Sequence, residues 1–324
     1  MKKALITGVT GQDGAYLADF LSKRGDYEVF GSYRRTSHRL FERLEYLDIL
    51  DKINLVRLDL NDQISINKAI KEIDPDEIYN LAAQSFVGVS FEQPMLTSNV
   101  TGLGAMRIFE AVKEYCPESR VYQASSSEMF GNSNEIKNEL TRLNPESPYG
   151  IAKVFAHKTA QHYRKAYDLF ISCGILFNHE SPLRGLEFVT RKITYNISRI
   201  KANKKTKLSL GNISAKRDWG YAPEYVEAMW MMLQKDKPSE YVISTGESHS
   251  VKEFLTDAFE HAGLGDWHSY VDVDNQQYLR PSDIDELLGD NSKAIKELEW
   301  KPKVKYKELV KIMVDADLDK SIKN

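Results

Sequence analysis

Short apolar runs alternate with longer amphipathic segments through the first half of the chain. The apolar runs predict strands at Ala4–Thr7, Glu28–Tyr33, Ile53–Leu58, Glu77–Leu81, Val121–Ser125 and Phe170–Leu176. The segments between them predict helices at Ala15–Lys23, Ser65–Ile73, Gly102–Tyr115 and Tyr149–Tyr167. The strand runs are almost continuously apolar, which is typical of strands buried on both faces. Strands that alternate with helices in this way predict an α/β fold built on a doubly wound parallel sheet.

The pattern loosens after about Phe177, where the loops lengthen and prolines interrupt the chain. Helices are still predicted at Phe188–Ala202, Pro223–Leu233, Val251–Ala262 and Tyr306–Lys320. We therefore predict a smaller α/β domain for substrate, interleaved with the sheet domain. The predicted sheet domain comprises residues 1–176 and 213–245, and the predicted substrate domain comprises residues 177–212 and 246–324.

Composition and charge narrow the classes of function. The chain has 324 residues and a net charge of −3, which gives no electrostatic footprint for nucleic acid. The apolar run in "MKKALITG" is too short for a signal peptide, and no run is long enough to span a bilayer. Cys116 and Cys173 match no metal or redox spacing. We therefore predict a cytoplasmic protein without metal, nucleic-acid or membrane partners, in which the basic run Lys201–Lys207 is a solvated loop.

Three glycines follow the first predicted strand and open the first helix, in "ITGVTGQDGAYL". Glycines at this point permit a tight turn and let backbone N–H groups approach a pyrophosphate at the helix N-terminus. Three spaced glycines alone are also compatible with an ordinary turn before a helix. The order of strand, glycines and helix at the start of an alternating domain favours a dinucleotide-binding Rossmann domain. The predicted cofactor contacts in this loop are Gly8, Thr10, Gly11, Gln12, Asp13 and Gly14.

The end of the second predicted strand indicates which dinucleotide binds. NAD-binding proteins usually place an acidic residue there, whereas this chain has Arg34 and Arg35 in "GSYRRTS". Because paired guanidinium groups suit a 2′-phosphate, we predict NADP as the cofactor. The alternative is that both arginines are solvated loop residues. The later strand ends complete the predicted cofactor site with Asp59, Leu60, Leu81, Ala82 and Ala83.

Tyr149 is followed four positions later by Lys153, in "SPYGIAK". Pro148 suits the first turn of a helix and Ser147 suits its cap, so both side chains would lie on one helix face. A nearby cation favours the phenolate, which can take the proton from an alcohol while hydride passes to a nicotinamide. A surface pair is the alternative, but the preceding glycine loop and serine-bearing strand favour catalysis.

A carboxylate follows a cluster of hydroxyls in "YQASSSEMFG", at the end of the fifth predicted strand. We predict that Ser126 hydrogen-bonds the reacting alcohol. Oxidation of carbon 4 of a sugar makes the proton on carbon 5 acidic, so Glu128 can remove it and protonate the hydroxyl that leaves carbon 6. Hydride then returns to carbon 6, and the cofactor is not consumed. The alternative is that Glu128 is a capping or solvated acid before the Gly131 turn.

The chain resembles the GDP-mannose 4,6-dehydratase family of the extended short-chain dehydrogenase/reductase superfamily. The resemblance covers nearly the whole chain and includes the glycine loop, the serine cluster and the Tyr–Lys motif described above. The strings more specific to this family are "NLAAQSFVGVSFEQP", "GILFNHESPLRGLEFVTRKIT", "AKRDWGYAPEYVEAMW" and "LRPSDIDELLGD". The resemblance implies catalytic roles for Ser126, Glu128, Tyr149 and Lys153.

The resemblance also implies ligand contacts that spacing alone does not reveal. Ser85, His179 and Arg184 correspond to NADP contacts, and the loop of Arg34 and Arg35 to one that helps build a tetramer. The positions that correspond to contacts with the GDP-sugar are Ser85, Asn178, Val189, Lys192, Arg217 and Arg280. Three positions depart from the family: Ser126 where threonine is frequent, Glu146 where arginine is common, and Asp283 where glutamate is common.

The predicted function is therefore the NADP-dependent conversion of GDP-mannose to its 4-keto-6-deoxy form with loss of water, by a homo-oligomer, either a tetramer or a dimer. A dehydratase for GDP-linked manno-heptose is an alternative, since carbons 4, 5 and 6 react alike. A nucleotide-sugar 4-epimerase or reductase is a further alternative, although neither chemistry requires an acid at Glu128. A non-catalytic NADP sensor would not need the intact Ser126, Tyr149 and Lys153.

Overall fold

The strands of the computed structural model follow the predicted order through the first half of the chain. The model describes residues 1–37, 40–133, 135–203, 207–273, 275, 278 and 280–322, so residues 204–206 of the predicted basic loop lie outside it. The strands are β1 (Lys2–Thr7), β2 (Tyr27–Tyr33), β3 (Asn54–Arg57), β4 (Glu77–Asn80), β5 (Arg120–Ser126), β6 (Ile171–Leu176), β7 (Asn178–Glu180), β8 (Leu208–Ser209), β9 (Lys216–Arg217), β10 (Trp219–Tyr221), β11 (Glu240–Ile243), β12 (His249–Ser250), β13 (Val271–Asp272) and β14 (Glu286–Leu287).

The helices include all eight that the sequence predicts, with ends that differ by a few residues. They are α1 (Gln12–Arg24), α2 (Glu42–Tyr46), α3 (Gln63–Ile73), α4 (Val87–Glu92), α5 (Pro94–Thr97), α6 (Gly104–Tyr115), α7 (Pro148–Tyr167), α8 (Val189–Lys201), α9 (Ala222–Leu233), α10 (Val251–His261), α11 (Ser292–Leu298) and α12 (Tyr306–Ile322). A π-helical turn, Ser98–Leu103, precedes α6.

The central sheet has seven strands in the order β11-β6-β5-β4-β1-β2-β3. Every neighbouring pair in it is parallel, which confirms the predicted doubly wound sheet. The chain leaves β1 toward β2 on one side and returns to β4 on the other. The carboxyl ends of β1 and β4 therefore flank the crevice where ligands of such sheets bind. The edge strand β11 was not predicted from the sequence.

Helices cover both faces of the sheet, because alternate side chains of each strand point to opposite faces. Ala4 and Ile6 of β1 pack in the core formed with α1 and α9. Leu5, between them, packs in the core formed with α3, α6 and α7. No helix among the described residues is long and apolar enough to cross a bilayer.

A further apolar core joins α8, α10 and α12 beyond the carboxyl edge of the sheet. A buried ion pair fastens two of these helices: Arg191 of α8 donates to both carboxylate oxygens of Asp317 in α12, at 2.6 and 2.8 Å. Arg191 also donates to the backbone oxygens of Pro182 and Arg184, so the pair fixes the loop after β7. The division into residues 1–176 plus 213–245 and 177–212 plus 246–324 stays a prediction.

Candidate active site

A cavity of about 1100 Å³ lies between the carboxyl ends of the central strands and the helical core of α8, α10 and α12. It brings together most of the predicted site residues, which come from every part of the chain. Those that line it are Gly8, Thr10, Gly11, Gln12, Asp13, Gly14, Leu81, Ala83, Ser85, Ser126, Glu128, Tyr149, Lys153, Asn178, His179, Arg184, Val189, Lys192, Arg217 and Arg280.

Five predicted cofactor residues lie outside the wall of this cavity. Arg34 and Arg35 are exposed just beyond β2, and Asp59 is half-buried beyond β3. Leu60 is buried against Gly104 at the start of α6, and Ala82 lies behind the glycine loop, about 2.9 Å from the position a Gly8 side chain would take. The structure therefore does not bring these five to the cavity, and their contact with NADP stays a prediction.

The glycine loop has the backbone shape that a pyrophosphate site requires. Gly8 adopts a φ of 73°, which favours glycine, and a Cβ on Gly14 would lie 2.4 Å from the Gly8 oxygen. Gly11 is the N-cap of α1, and no side chain caps that end of the helix. The first N–H groups of α1 are thus left for a ligand, and their partial positive charge suits a diphosphate.

Side chains in the first turn of α1 tie the glycine loop to the segment after β6. The Gln12 amide donates to the His179 backbone oxygen at 3.1 Å, and Ser181 donates to Gln12 Oε1 at 2.7 Å. His179 Nε2 lies 2.8 Å from Asp13 Oδ2, and its Nδ1 lies 2.7 Å from the Phe177 oxygen. Both ring nitrogens of His179 are therefore engaged by the protein, so its side chain positions Asp13.

The Asp13–His179 pair is charged because each partner favours the ionic form of the other. Burial opposes the charge of Asp13, yet the charge of His179 and its hydrogen bond lower the Asp13 pKa to about 2. Burial likewise opposes the charge of His179, but Asp13 raises the His179 pKa above its usual value. The ring also stacks on Tyr225, with centroids 4.8 Å apart. The ion pair and the ring contact therefore hold the start of α1 against β7.

Arg43, which the sequence analysis missed, reaches the same wall of the cavity. Its Nε donates to the Leu183 oxygen at 2.7 Å and its Nη1 donates to the Thr10 oxygen at 3.0 Å. Burial lowers the pKa of this guanidinium. No motif marks a single arginine in the short helix α2, so only the tertiary structure reveals that it links the glycine loop to the segment after β7.

Helix α7 presents the predicted Tyr–Lys pair to the cavity. Ser147 caps the helix by accepting from the Gly150 N–H at 3.0 Å, and Pro148 occupies its first turn, as predicted. The four-residue spacing places Lys153 Nζ 5.7 Å from the centre of the Tyr149 ring. Lys153 donates to the Ala124 oxygen of β5 at 2.7 Å. This bond fixes the lysine beneath the tyrosine.

Ser126 and Glu128 stand opposite the tyrosine, where β5 runs into a short 3₁₀ turn at Ser127–Met129. The Ser126 side chain lies beside the Tyr149 hydroxyl and lowers the pKa of this phenol. Ser126 Oγ also accepts from the Glu128 N–H at 3.2 Å, which fixes the turn that carries the carboxylate. Glu128 is half-buried and faces the cavity, and its charge raises the pKa of Tyr149. Hydroxyl, phenol and carboxyl groups therefore meet at one point.

Tyr149 does not have the lowered pKa that the sequence analysis expects. Burial raises the pKa of Tyr149 to about 12, although the hydrogen bond from Ser126 lowers it, and burial lowers the pKa of Lys153 to about 8. Desolvation outweighs the lysine charge because both groups are nine-tenths or more buried and the lysine bonds to a backbone oxygen. In this structure the tyrosine is thus a neutral phenol that holds its proton.

Basic residues gather at the other end of the cavity, where the sequence predicts the GDP moiety. Arg217 Nη1 donates to the Ile284 oxygen at 2.8 Å, and its Nη2 lies 3.2 Å from Asp283 Oδ1. Arg280 lies 3.5 Å from the same oxygen. Lys192 Nζ lies 3.1 Å from the centre of the Tyr278 ring. The Asp283 carboxylate contacts both arginines. Aspartate is shorter than the glutamate that is common at this position in the family, but it still reaches both guanidinium groups.

The remaining predicted contacts line the middle of the cavity. Asn178 begins β7 and pairs with Trp219 of β10, while Val189 begins α8. Ser85 follows β4, and Glu146 stands outside the cavity wall. Glu146 accepts from Ser282 Oγ at 2.8 Å and from the Asn132 N–H at 3.2 Å, so it joins the chain before α7 to the loop that carries the basic residues.

The described residues contain no group of three or more His, Cys, Asp or Glu side chains that could hold a metal ion. What the cavity offers instead is a loop shaped for a dinucleotide, a cluster of acid–base groups and a basic end. The arrangement is suited to oxidation and deprotonation of a ligand that carries a diphosphate.

Solved structures with the same fold include enzymes that act on nucleotide sugars. The UDP-glucose 4-epimerase of Thermus thermophilus in complex with NAD superposes with a TM-score of 0.85, over 97% of this chain and 98% of the epimerase chain. The two sequences are 24% identical, so this similarity establishes the fold alone.

Sequence comparison identifies the family. The family model for GDP-mannose 4,6 dehydratase matches residues 5–313. GDP-mannose 4,6 dehydratase 1 of Arabidopsis thaliana is 50% identical over 98% of this chain and 90% of its own length. GDP-mannose 4,6-dehydratase of Yersinia enterocolitica is 41% identical over 99% of this chain and 95% of its own length. The chain belongs to the GDP-mannose 4,6-dehydratase family.

Proposed function

We propose that this chain removes water from GDP-mannose to give the 4-keto-6-deoxy sugar nucleotide, with NADP as its resident cofactor. Family membership supports the substrate, since the two relatives named above are GDP-mannose 4,6-dehydratases at 50% and 41% identity. The single observation that carries the chemistry is that Glu128 faces the cavity together with Ser126 and Tyr149. The fold alone does not distinguish a dehydratase from a 4-epimerase, because a UDP-glucose 4-epimerase has the same fold.

The glycine loop and its surroundings fit the dinucleotide. The uncapped start of α1 offers N–H groups to the diphosphate, and a side chain on Gly14 would collide with the Gly8 oxygen. Arg34 and Arg35, exposed beyond β2, would close on the 2′-phosphate and so select NADP. The nicotinamide supplies one capability, the reversible acceptance of a hydride.

Oxidation at carbon 4 requires a group that takes the hydroxyl proton. Tyr149 is that group in its phenolate form, so the resting phenol first releases its proton and the phenolate then takes the proton of the alcohol. Ser126, beside the phenol, would hydrogen-bond the sugar oxygen. Lys153 lies beneath the ring, and its pKa of about 8 lets it take up or release a proton near neutral pH. The positive charge of the lysine stabilises the phenolate while the alcohol proton is transferred.

Water loss requires an acid–base group on the neighbouring carbons. The carbon 4 ketone makes the carbon 5 proton acidic, and the Glu128 carboxylate accepts that proton. The same proton then passes to the hydroxyl on carbon 6, which departs as water and leaves a carbon 5–carbon 6 double bond. Return of hydride to carbon 6 and uptake of a proton from solvent at carbon 5 give the 4-keto-6-deoxy product, and the proton that Tyr149 took from the carbon 4 hydroxyl returns to solvent. Glu128 is already a carboxylate again, because it passed its proton to the departing water.

An exposed apolar face supports the proposal of a homo-oligomer. Leu103, the last residue before α6, and Met106 of α6 are 43% and 36% exposed, and Ile151 and Phe155 of α7 are 57% and 42% exposed. The two helices are neighbours, so these side chains form one patch that a second copy would bury. Both cysteines are free and buried, which supports a reducing cytoplasm as the location.

Conversion of Glu128 to glutamine tests the proposal. Glu128→Gln keeps the shape but removes the acid–base group, so water loss should fall by about 10²–10⁴-fold while carbon 4 oxidation remains. Mass spectrometry after incubation with GDP-mannose, and in parallel with the GDP-linked manno-heptose, measures the product that is lighter by one water. Glu146→Gln is the matched control, because that acid lies outside the cavity wall. Near-native dehydration by Glu128→Gln would refute the assignment.

A further inference from the structure

A line of polar side chains leads from the cavity through α7 to the edge of the sheet. Ser125, which lines the cavity beside Ser126, has its Oγ 2.8 Å from His157 Nδ1. On the other side of the ring, His157 Nε2 lies 3.3 Å from Gln161 Nε2. The same amide nitrogen lies 3.2 Å from Glu240 Oε1 of β11, and Arg164 Nη1 lies 2.8 Å from that oxygen.

The ion pair at the outer end fixes the direction of the first hydrogen bond. Burial opposes the charge of Glu240, but Arg164 and Gln161 hold the pKa of this carboxyl below its usual value. An ionised carboxylate can only accept hydrogen bonds, so Gln161 must turn its amide nitrogen toward Glu240. An amide nitrogen has two hydrogens, and the second is the one that points at His157 Nε2.

The tautomer of His157 fixes the direction of the hydrogen bond between its ring and Ser125. Burial lowers the pKa of His157 to about 4, against the charge of Glu240, so the ring is neutral and has one donor and one acceptor. Because Nε2 accepts from Gln161, Nδ1 carries the hydrogen and donates to Ser125 Oγ. The hydroxyl hydrogen of Ser125 is then free for another acceptor. The nearby thiol of Cys173 is a weak one.

We propose that Ser125 is a further hydrogen-bond donor at the reacting end of the cavity, and that His157, Gln161 and Glu240 are positioning residues that fix its direction. The acceptor would be an uncharged oxygen of a ligand, either the carboxamide oxygen of the nicotinamide or an oxygen of the sugar at carbon 4. This assignment rests on the proposed function, since both acceptors belong to its ligands.

The imidazole tautomer tests the relay without any assay of activity. In the protein labelled with ¹⁵N-histidine, the resonance of His157 is assigned with a His157→Phe variant. At neutral pH the spectrum should show the form protonated at Nδ1. Glu240→Gln replaces a group that can only accept by an amide that can also donate, so Gln161 is no longer held in one orientation and this variant should convert part of the population to the Nε2-protonated form. An Nε2-protonated ring in the native protein would overturn the proposal, whatever reaction the enzyme catalyses.

A double-mutant cycle tests whether His157 acts through Ser125. Loss of one neutral hydrogen bond should lower kcat about tenfold in Ser125→Ala and in His157→Phe. If the two residues form one unit, the double variant should be no slower than Ser125→Ala alone. A hundredfold loss of kcat in the double variant would overturn the proposal. Gln161→Met, which leaves the buried ring in place, repeats the cycle should His157→Phe fail to fold.

The ligand that accepts the hydrogen bond is found by binding. The dissociation constants of NADP⁺ and of GDP-mannose are measured for the native protein and for Ser125→Ala. A tenfold weaker affinity for NADP⁺ would assign the nicotinamide carboxamide, and unchanged constants with a lower kcat would assign the sugar oxygen. His162→Phe, on the exposed side of α7, is the matched control and should change neither quantity. Native-like binding and native-like kcat in Ser125→Ala together would refute the donor.

Discussion

The buried pair of Arg191 and Asp317 offers a sharp test of what fixes the helical core to the cavity. Asp317→Asn keeps the size of the side chain but removes its charge, and the guanidinium of Arg191 is then left without its counter-charge. The two side chains are only 9% and 1% exposed, so water cannot replace the lost partner. The amide introduced by this substitution keeps one acceptor oxygen, but its NH2 group can only donate. The carboxylate of Asp317 uses both oxygens, accepting two hydrogen bonds from Arg191 and one from Thr194.

The expected cost follows from this burial. Removal of one partner from a buried ion pair lowers the free energy of unfolding by about 3–5 kcal/mol. Because the amide of Asp317→Asn can still accept hydrogen bonds, we expect a loss of about 3 kcal/mol, at the lower end of this range. At roughly 2–4 °C per kcal/mol, the melting temperature should fall by about 10 °C. Arg191 also holds the oxygens of Pro182 and Arg184, so affinity for the cofactor should fall as well.

Urea unfolding followed by circular dichroism measures the free energy of unfolding, and differential scanning calorimetry measures the melting temperature. The matched control is Asp315→Asn in the same helix, whose carboxylate is 61% exposed and pairs with His261 at the surface. That variant should lose less than about 1 kcal/mol. The double variant Arg191→Met and Asp317→Leu should recover most of the stability, because no unpaired charge remains buried. A loss below about 1 kcal/mol in Asp317→Asn, no larger than that of a surface pair, would refute the reasoning.

Three further predictions concern the predicted cofactor site. Gly14→Ala places a Cβ 2.4 Å from the Gly8 oxygen, so the loop must shift and NADP⁺ titration should show at least a tenfold weaker affinity. Ionised Asp13 stabilises the fold above its unfolded pKa of 3.8 and loses this effect as pH falls through about 2. Asp13→Asn should therefore cost about 2 kcal/mol in urea unfolding at pH 7, and less at pH 3. Arg35→Ala should weaken NADP⁺ far more than NAD⁺ in the same titration, and equal losses would argue against contact with the 2′-phosphate.

The sheet could be predicted from the sequence because its first six strands are short apolar runs between amphipathic segments, and all of them except the edge strand β3 are largely buried in the structure. The seventh strand, β11, escaped prediction. Its four residues, Glu240–Ile243, begin with an acid and follow a proline break, and their place beside β6 depends on pairing across more than sixty residues of chain. Local pattern has no information on such a distant partner.

The residues of the catalytic centre could be predicted because local spacing brings them together, but their pKa values could not. Spacing on one helix places Tyr149 above Lys153, and a strand end places Ser126 before Glu128, so local geometry assembles both pairs. The raised pKa of Tyr149 comes from burial, which arises only when β5, α7 and the loops close around it. The relay from Ser125 to Glu240 joins residues from two strands and a helix, and no motif links them.

The tie between the glycine loop and the segment after β6 bears on how the cofactor is used. Gln12 and Asp13 hydrogen-bond His179 and Ser181, which fixes the start of α1 against the segment after β6. A dinucleotide bound at the glycine loop would therefore contact a site that two distant parts of the chain hold together. A reaction that restores its own hydride to the same sugar gains nothing from exchanging that dinucleotide between cycles. We therefore expect the proposed cofactor to stay bound as a prosthetic group, so that purified protein should turn over its sugar nucleotide with no dinucleotide added.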